Sequence, residues 1–229
     1  VSGNMRADFS ANFNESDLNA ALYEDVIAEG SLGLNDVVIS IYEKPDILIS
    51  NTILSFSPEK LLLDSFNFQF GESDLFAKGS FSNYLSYITK DGILKGDFES
   101  SSQNIDVDEL LSLSDIAYTD TINDQDDASI KTATEDESFE SLIPLNIDFS
   151  LFSAINKLKY SKTEMSNIKA RIELSNGSFI IQRLNAEALG GSAELTGSLS
   201  TGFSNETLLD MDVQFDTIDF TAACNSISL

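Results

Sequence analysis

The densest group of oxygen ligands in the chain is the acidic run Asp120-Thr121-Ile122-Asn123-Asp124-Gln125-Asp126-Asp127. Calcium takes oxygen ligands at alternating positions, and Asn123 to Asp127 offers them in outline. The run lacks the central glycine of a tight calcium loop and its terminal bidentate glutamate, so it reads as a solvated charge run. Asp210 and Asp212 form a second carboxylate pair, but both fall on the polar side of an alternating segment, where they keep a sheet soluble. Cys224 is the single cysteine and has no basic neighbour in sequence to lower its pKa, so it reads as an incidental thiol. The chain contains no histidine, which removes the commonest general base and most zinc sites. No glycine-rich loop joins a strand to a helix in the phosphate-cradling arrangement. The sequence therefore predicts no catalytic centre, no cofactor and no metal.

Composition narrows the remaining classes. The 229 residues are 42% hydrophobic, enough to bury apolar surface, and include 16 Phe, 6 Tyr and no Trp, a strand-favouring set. Thirteen basic against 38 acidic residues leave a formal charge of −25. Such a surface repels phosphates, so nucleic acid is excluded as a partner and adhesion to anionic headgroups is disfavoured. One cysteine permits no internal disulfide, and fits either a reducing compartment or a bacterial periplasm. No run approaches the 18 or so apolar residues of a membrane span, and Val1 opens no signal peptide. The chain is read as a portion whose anchor lies outside it.

Period-two alternation dominates. Ile168, Ala170, Ile172 and Leu174 alternate with Lys169, Arg171 and Glu173; Leu209, Met211, Val213 and Phe215 alternate with Asp210, Asp212 and Gln214. Phe66, Phe68 and Phe70, then Leu75, Ala77, Gly79 and Phe81, repeat the pattern earlier, as do Ala193, Leu195, Gly197 and Leu199 later. Asn176-Gly177, Gly71-Glu72-Ser73, Asp91-Gly92 and Gly190-Gly191 punctuate the runs as hairpin turns. The expected fold is all-β with minor α: an elongated, twisted antiparallel sheet of meander units with one or two short helices. Leu61-Leu62-Leu63 and Gly79-Ser80-Phe81-Ser82 recur as Phe179-Ile180-Ile181 and Gly197-Ser198-Leu199-Ser200, 118 residues on. Ile105-Asp106-Val107 recurs as Ile218-Asp219-Phe220, 113 residues on. These offsets predict two related units, 1–111 and 142–229, joined by an acidic, poorly ordered linker at 112–141. Asp106 to Leu111 and Thr221 to Cys224 are the expected helix starts.

A sheet with one apolar face must curl over it, pack something on it, or bind something apolar. The candidate lining of an apolar groove is Phe66, Phe68, Phe70, Leu75, Phe81, Ile168, Ile172 and Leu174. Leu195, Leu199, Leu209, Met211, Val213 and Phe215 complete it in the second unit.

The series Ile143-Pro144-Leu145-Asn146-Ile147-Asp148-Phe149, Met165-Ser166-Asn167-Ile168-Lys169-Ala170 and Leu189-Gly190-Gly191-Ser192-Ala193-Glu194-Leu195-Thr196-Gly197 resembles the C-terminal region of AsmA-family proteins, in the form found in Bacteroidetes. Gly96-Asp97-Phe98 through Asp108-Glu109-Leu110-Leu111 is similar to the same family. The resemblance implies a periplasmic, non-enzymatic segment tethered to the inner membrane by a helix outside this chain. It implies a β half-pipe that moves phospholipid along an apolar interior and serves outer-membrane biogenesis. The alternative expectation is a structural or interaction module of envelope assembly, with a closed core and envelope proteins as partners.

Overall fold

The computed structural model describes residues 1–12, 27–90, 92–120, 145–201, 207–219 and 221. The first strands are β1 (Ser2–Asn12), β2 (Ile27–Ile39), β3 (Ile47–Phe56), β4 (Lys60–Phe70) and β5 (Ser73–Ser82). Helix α1 (Tyr84–Lys90), strand β6 (Leu94–Asp106) and helix α2 (Val107–Asp120) follow. The second half holds β7 (Ile147–Tyr160), β8 (Thr163–Ser175), β9 (Ser178–Ala188), β10 (Gly191–Thr201) and β11 (Thr207–Asp216). All eleven form one unclosed sheet in sequence order, with β1 at one edge and β11 at the other.

The all-β expectation holds, with one difference. Nine neighbouring pairs are antiparallel, but β6 and β7 run parallel. The cause is the size of the repeat. β2–β6 and β7–β11 are units of five strands, and an odd number leaves the chain at the end opposite its entry. A parallel start needs a long return connection, and α2 opens it.

The backbone carries the repeat further than the side chains do. β4 bulges between Leu63 and Phe66, and β9 bulges between Ile181 and Leu184, again 118 residues apart. A bulge adds one residue and reverses which parity faces which side. That is how Leu61 and Leu63 share a face with Phe66, Phe68 and Phe70. Alternation alone would align two unrelated strands, but it would not place their bulges together.

The turns follow their chemistry in part. Asn176 and Gly177 both take positive φ, 51° and 69°, as a tight hairpin between antiparallel strands requires. β5 and β6 are not joined directly by a hairpin at Gly92, and Asp91 lies outside the described residues. Helix α1 lies between β5 and β6 instead, and Gly92 follows it with its N–H donated to Ser86 O at 3.0 Å. The Tyr84 hydroxyl pins α1 to the β3–β4 turn by donating to Ser57 O at 2.7 Å, and its desolvation raises the phenol pKa.

Helix α2 starts where the acidic cluster predicts. Asp106 Oδ1 accepts the Glu109 N–H at 3.2 Å as an N-cap, and Asp108 and Glu109 occupy the first turn. Its first turns gather three strand connections at one end of the sheet. Glu109 accepts from Ser73 Oγ at 2.9 Å and from the backbone N–H of Ser73 at 3.2 Å; Asp108 accepts the Ser161 N–H at 2.7 Å. Lys44 Nζ donates to Ser112 O. Gly71, at φ 55°, sits so close that a Cβ there would overlap the Glu109 carboxylate. α2 runs to Asp120, into the acidic segment; the remainder of that segment, including Asn123 to Asp127, lies outside the described residues. Thr221 is helical and its N–H is capped by Asp219 Oδ1 at 2.8 Å, while Ala222 to Cys224 lie outside the described residues.

Candidate apolar trough

Strand register places the apolar residues in rows running across the sheet. One row passes from Phe9 through Gly30, Phe56, Leu61 and Phe81 to Gly96. It continues through Phe149, Leu174, Phe179 and Leu199 to Leu209. A second row, two residues along each strand, runs Ala7, Leu32, Leu54, Leu63, Gly79 and Phe98. It continues Leu151, Ile172, Ile181, Gly197 and Met211. Neither row contains a polar side chain. Ten strand spacings make this band about 48 Å long.

The glycines in these rows are space for rings. A Cβ on Gly96 would lie 2.8 Å from the Phe98 ring and 2.9 Å from the Phe149 ring, and one on Gly79 would overlap Phe98. Phe81, Phe98 and Phe149 consequently lean together, with centroids 4.7, 5.4 and 6.1 Å apart in edge-to-face contact. Toward the strand centres the face changes to small residues. Ala77, Ser100, Ser153 and Ala170 are cross-strand neighbours, and Ser100 Oγ donates to Ser153 Oγ at 2.9 Å.

All fourteen residues expected to line a groove fall on this one face by register. Phe70 and Ile168 are buried, and Phe66, Phe68, Leu75, Phe81, Ile172, Leu174, Leu195 and Leu199 are half-buried. Leu209, Met211, Val213 and Phe215, on the edge strand, are 39 to 68% exposed. Sequence reading missed the contributions of β1, β2, β3, β6, β7 and β9, chiefly Phe9, Leu32, Leu54, Phe98, Phe149, Leu151 and Ile181. The signal that locates them is register with strands already read.

Among the described residues no second layer covers the band. No strand makes more than marginal contact with a strand other than its sheet neighbours, and the buried hydrophobic residues are Phe70, Ile168, Ala170 and Ala186. At one end the face is closed. There Phe70 and Ser73 are fully buried where α2 docks.

The opposite face is mixed: charged and hydroxyl side chains predominate, but Leu48, Ile53, Phe152 and Leu208 stand exposed among them. Lys78 pairs with Glu99 at 2.9 Å and Arg183 with Glu194 at 3.3 Å, both exposed, so they contribute little to stability. A depression of about 450 Å³ on this side is lined by Asp64, Lys78, Ser80, Asp97, Glu99 and Arg171. Leu62 and Phe152 line it alongside these charges, and Lys78 is already paired with Glu99.

Comparison with family models, curated proteins and solved structures finds no match for this chain.

Among the described residues no three His, Cys, Asp or Glu side chains come together as a metal site, and no helix is long and apolar enough to cross a membrane. What the arrangement offers chemically is an open apolar strip bounded by a strongly acidic surface.

Proposed function

We propose that this chain is a non-catalytic, lipid-carrying segment of an AsmA-like envelope protein. Phospholipid acyl chains lie along the apolar band and their headgroups stay in water. The observation that supports this reading is the pair of unbroken apolar rows spanning all eleven strands, with no covering layer among the described residues. A closed structural core would need that face covered; a conduit needs it open and continuous. In this reading the segment works in the periplasm, tethered to the inner membrane by a helix outside it, and serves outer-membrane biogenesis.

The energetics favour a passive role. Each methylene removed from water contributes about 0.8 kcal/mol, so a dozen methylenes crossing water unassisted cost roughly 10 kcal/mol. A chain moving from bilayer to apolar band keeps that contribution, and nothing in the band needs to drive it. The formal charge of −25 favours zwitterionic over anionic headgroups.

Native mass spectrometry of protein prepared without detergent tests the proposal. Wild type is expected to carry phospholipid, and Leu151→Asp, in the middle of the second row, to lose it while keeping a strand-rich circular dichroism spectrum. Wild type free of lipid after incubation with phospholipid vesicles would instead favour an interaction module that meets envelope proteins.

A further inference from the structure

We propose that the outer edge of β11 is a docking edge for one more strand, taken in parallel and supplied by a further unit of the same five-stranded repeat. β11 is the repeat counterpart of β6, since the residues that share a row, Gly96 with Leu209 and Phe98 with Met211, are 113 apart. β6 holds β10's counterpart, β5, on one side and accepts β7 in parallel on the other. Among the described residues β11 pairs with β10 alone.

The backbone of β11 is turned to accept such a strand. Leu94, an apolar-face position of β6, points its N–H at Asn146 O, beside β7, at 2.9 Å. In an L-chain, residues sharing a face of one strand direct their N–H and C=O to the same side. The counterparts Leu209, Met211, Val213 and Phe215 therefore present theirs to the outer edge. These four side chains are also the exposed end of the apolar band, so an added strand would extend it.

The polar side carries the matching chemistry. Across the β6–β7 seam, Ser150 Oγ donates to Asp97 at 2.7 Å, Asn156 Nδ2 to Gln103 at 2.6 Å and Lys159 Nζ to Asp106 at 2.8 Å. Carried forward by 113, the acceptors become Asp210, Asp216 and Asp219, all acids. β11 contains no basic residue. The entering strand accordingly alternates apolar and polar residues and brings lysine near its C-terminal end, as β7 does with Lys157 and Lys159. In the β6–β7 register Ser101 faces Ala154, which places Gln214 opposite Ala154 of a β7-type strand. Such an edge serves whether or not the trough carries lipid.

A peptide of residues 145–162, bearing Ala154→Cys, would be offered to the full chain carrying Cys224→Ser and Gln214→Cys in a glutathione buffer. The expected result is a disulfide that forms in preference to those from Ser150→Cys or Leu158→Cys peptides. Asp8→Cys, on the outer edge of β1, is expected to stay unlinked. With unmodified peptide, Val213→Pro should weaken binding about tenfold, the effect of one lost ladder hydrogen bond, while leaving the bonds to β10 intact. Equal cross-linking at all three peptide positions, equal capture by β1, or pairing of β11 with a second copy of the chain would each overturn the proposal.

Discussion

β6 and β11 occupy the same place in successive repeats and live in different surroundings. β6 lies mid-sheet, and its apolar positions Gly96, Phe98, Ser100 and Ser102 are buried or half-buried beneath neighbouring side chains. β11 is an edge, and Leu209, Met211, Val213 and Phe215 stand exposed at those positions. Between flanking strands that carry Phe81 and Phe149, the first row has room only for hydrogen at Gly96. At β11, with Leu199 on one side only, it accommodates leucine. The repeat preserves backbone geometry and lets side-chain size follow the number of neighbours.

The largest expected effect separates these two environments at one repeat position. Phe98→Ala removes the ring that Phe81 and Phe149 lean on and leaves a void between them. It is expected to destabilise the fold by about 3 kcal/mol, the lower part of the range for large buried aromatics. Met211→Ala, its counterpart 113 residues on, removes a side chain that is 56% exposed and should cost within about 0.5 kcal/mol. Urea midpoints of the two variants give the comparison. Equal losses would mean that something shields β11 as closely as β7 shields β6.

The same contrast explains what was legible in the sequence. β8, β10 and β11 were read from their amino acids because they keep strict alternation over the rows they supply. β3 was not, although Ile47, Ile49, Leu54 and Phe56 all belong to the apolar face. Asn51, at φ 48°, reverses the parity between the two pairs, so the string shows no period of two. The parallel seam was invisible for another reason: alternation does not encode strand direction. α1 escaped because Tyr84 to Lys90 carries no acidic first turn and is held by a distant contact, Tyr84 to Ser57.

The seam itself gives an intermediate effect, read through pH. Lys159 donates to Asp106, and this bond, reinforced by the Glu109 N–H, holds the Asp106 carboxyl below its usual range and raises the Lys159 ammonium above its own. A carboxylate depressed in the fold contributes fully above the ordinary aspartate pKa of about 4, and the contribution disappears as pH falls through the depressed value. A lysine raised in the fold contributes fully below about pH 10.4 and loses its share as pH rises through the raised value. Asp106→Asn keeps the N-cap and removes the charge. Wild type should therefore be the more stable at pH 7, and the two should converge as the solution is acidified through the range below pH 4. A difference that persists undiminished at the acid end would assign the effect to capping or packing and not to the ion pair.

A further contrast concerns a site where the two units disagree without any change of neighbour number. Thr52 in β3 and Ala170 in β8 share a repeat position, 118 apart, and both are nearly buried. Among the described residues Thr52 Oγ1 has no hydrogen-bond partner. A buried hydroxyl without a partner costs its desolvation, so Thr52→Val, which keeps the shape and deletes the donor, is expected to stabilise by about 1 kcal/mol. Ala170→Thr imposes the reverse, crowding a site between Ser153 and Leu184, and should destabilise by about 1 to 3 kcal/mol. If Thr52→Val destabilises instead, the hydroxyl is satisfied by something lying on the apolar face. The same variant titrated with phospholipid then separates the candidates: a lost bond to a lipid oxygen weakens lipid uptake, whereas a lost bond to water leaves it unchanged.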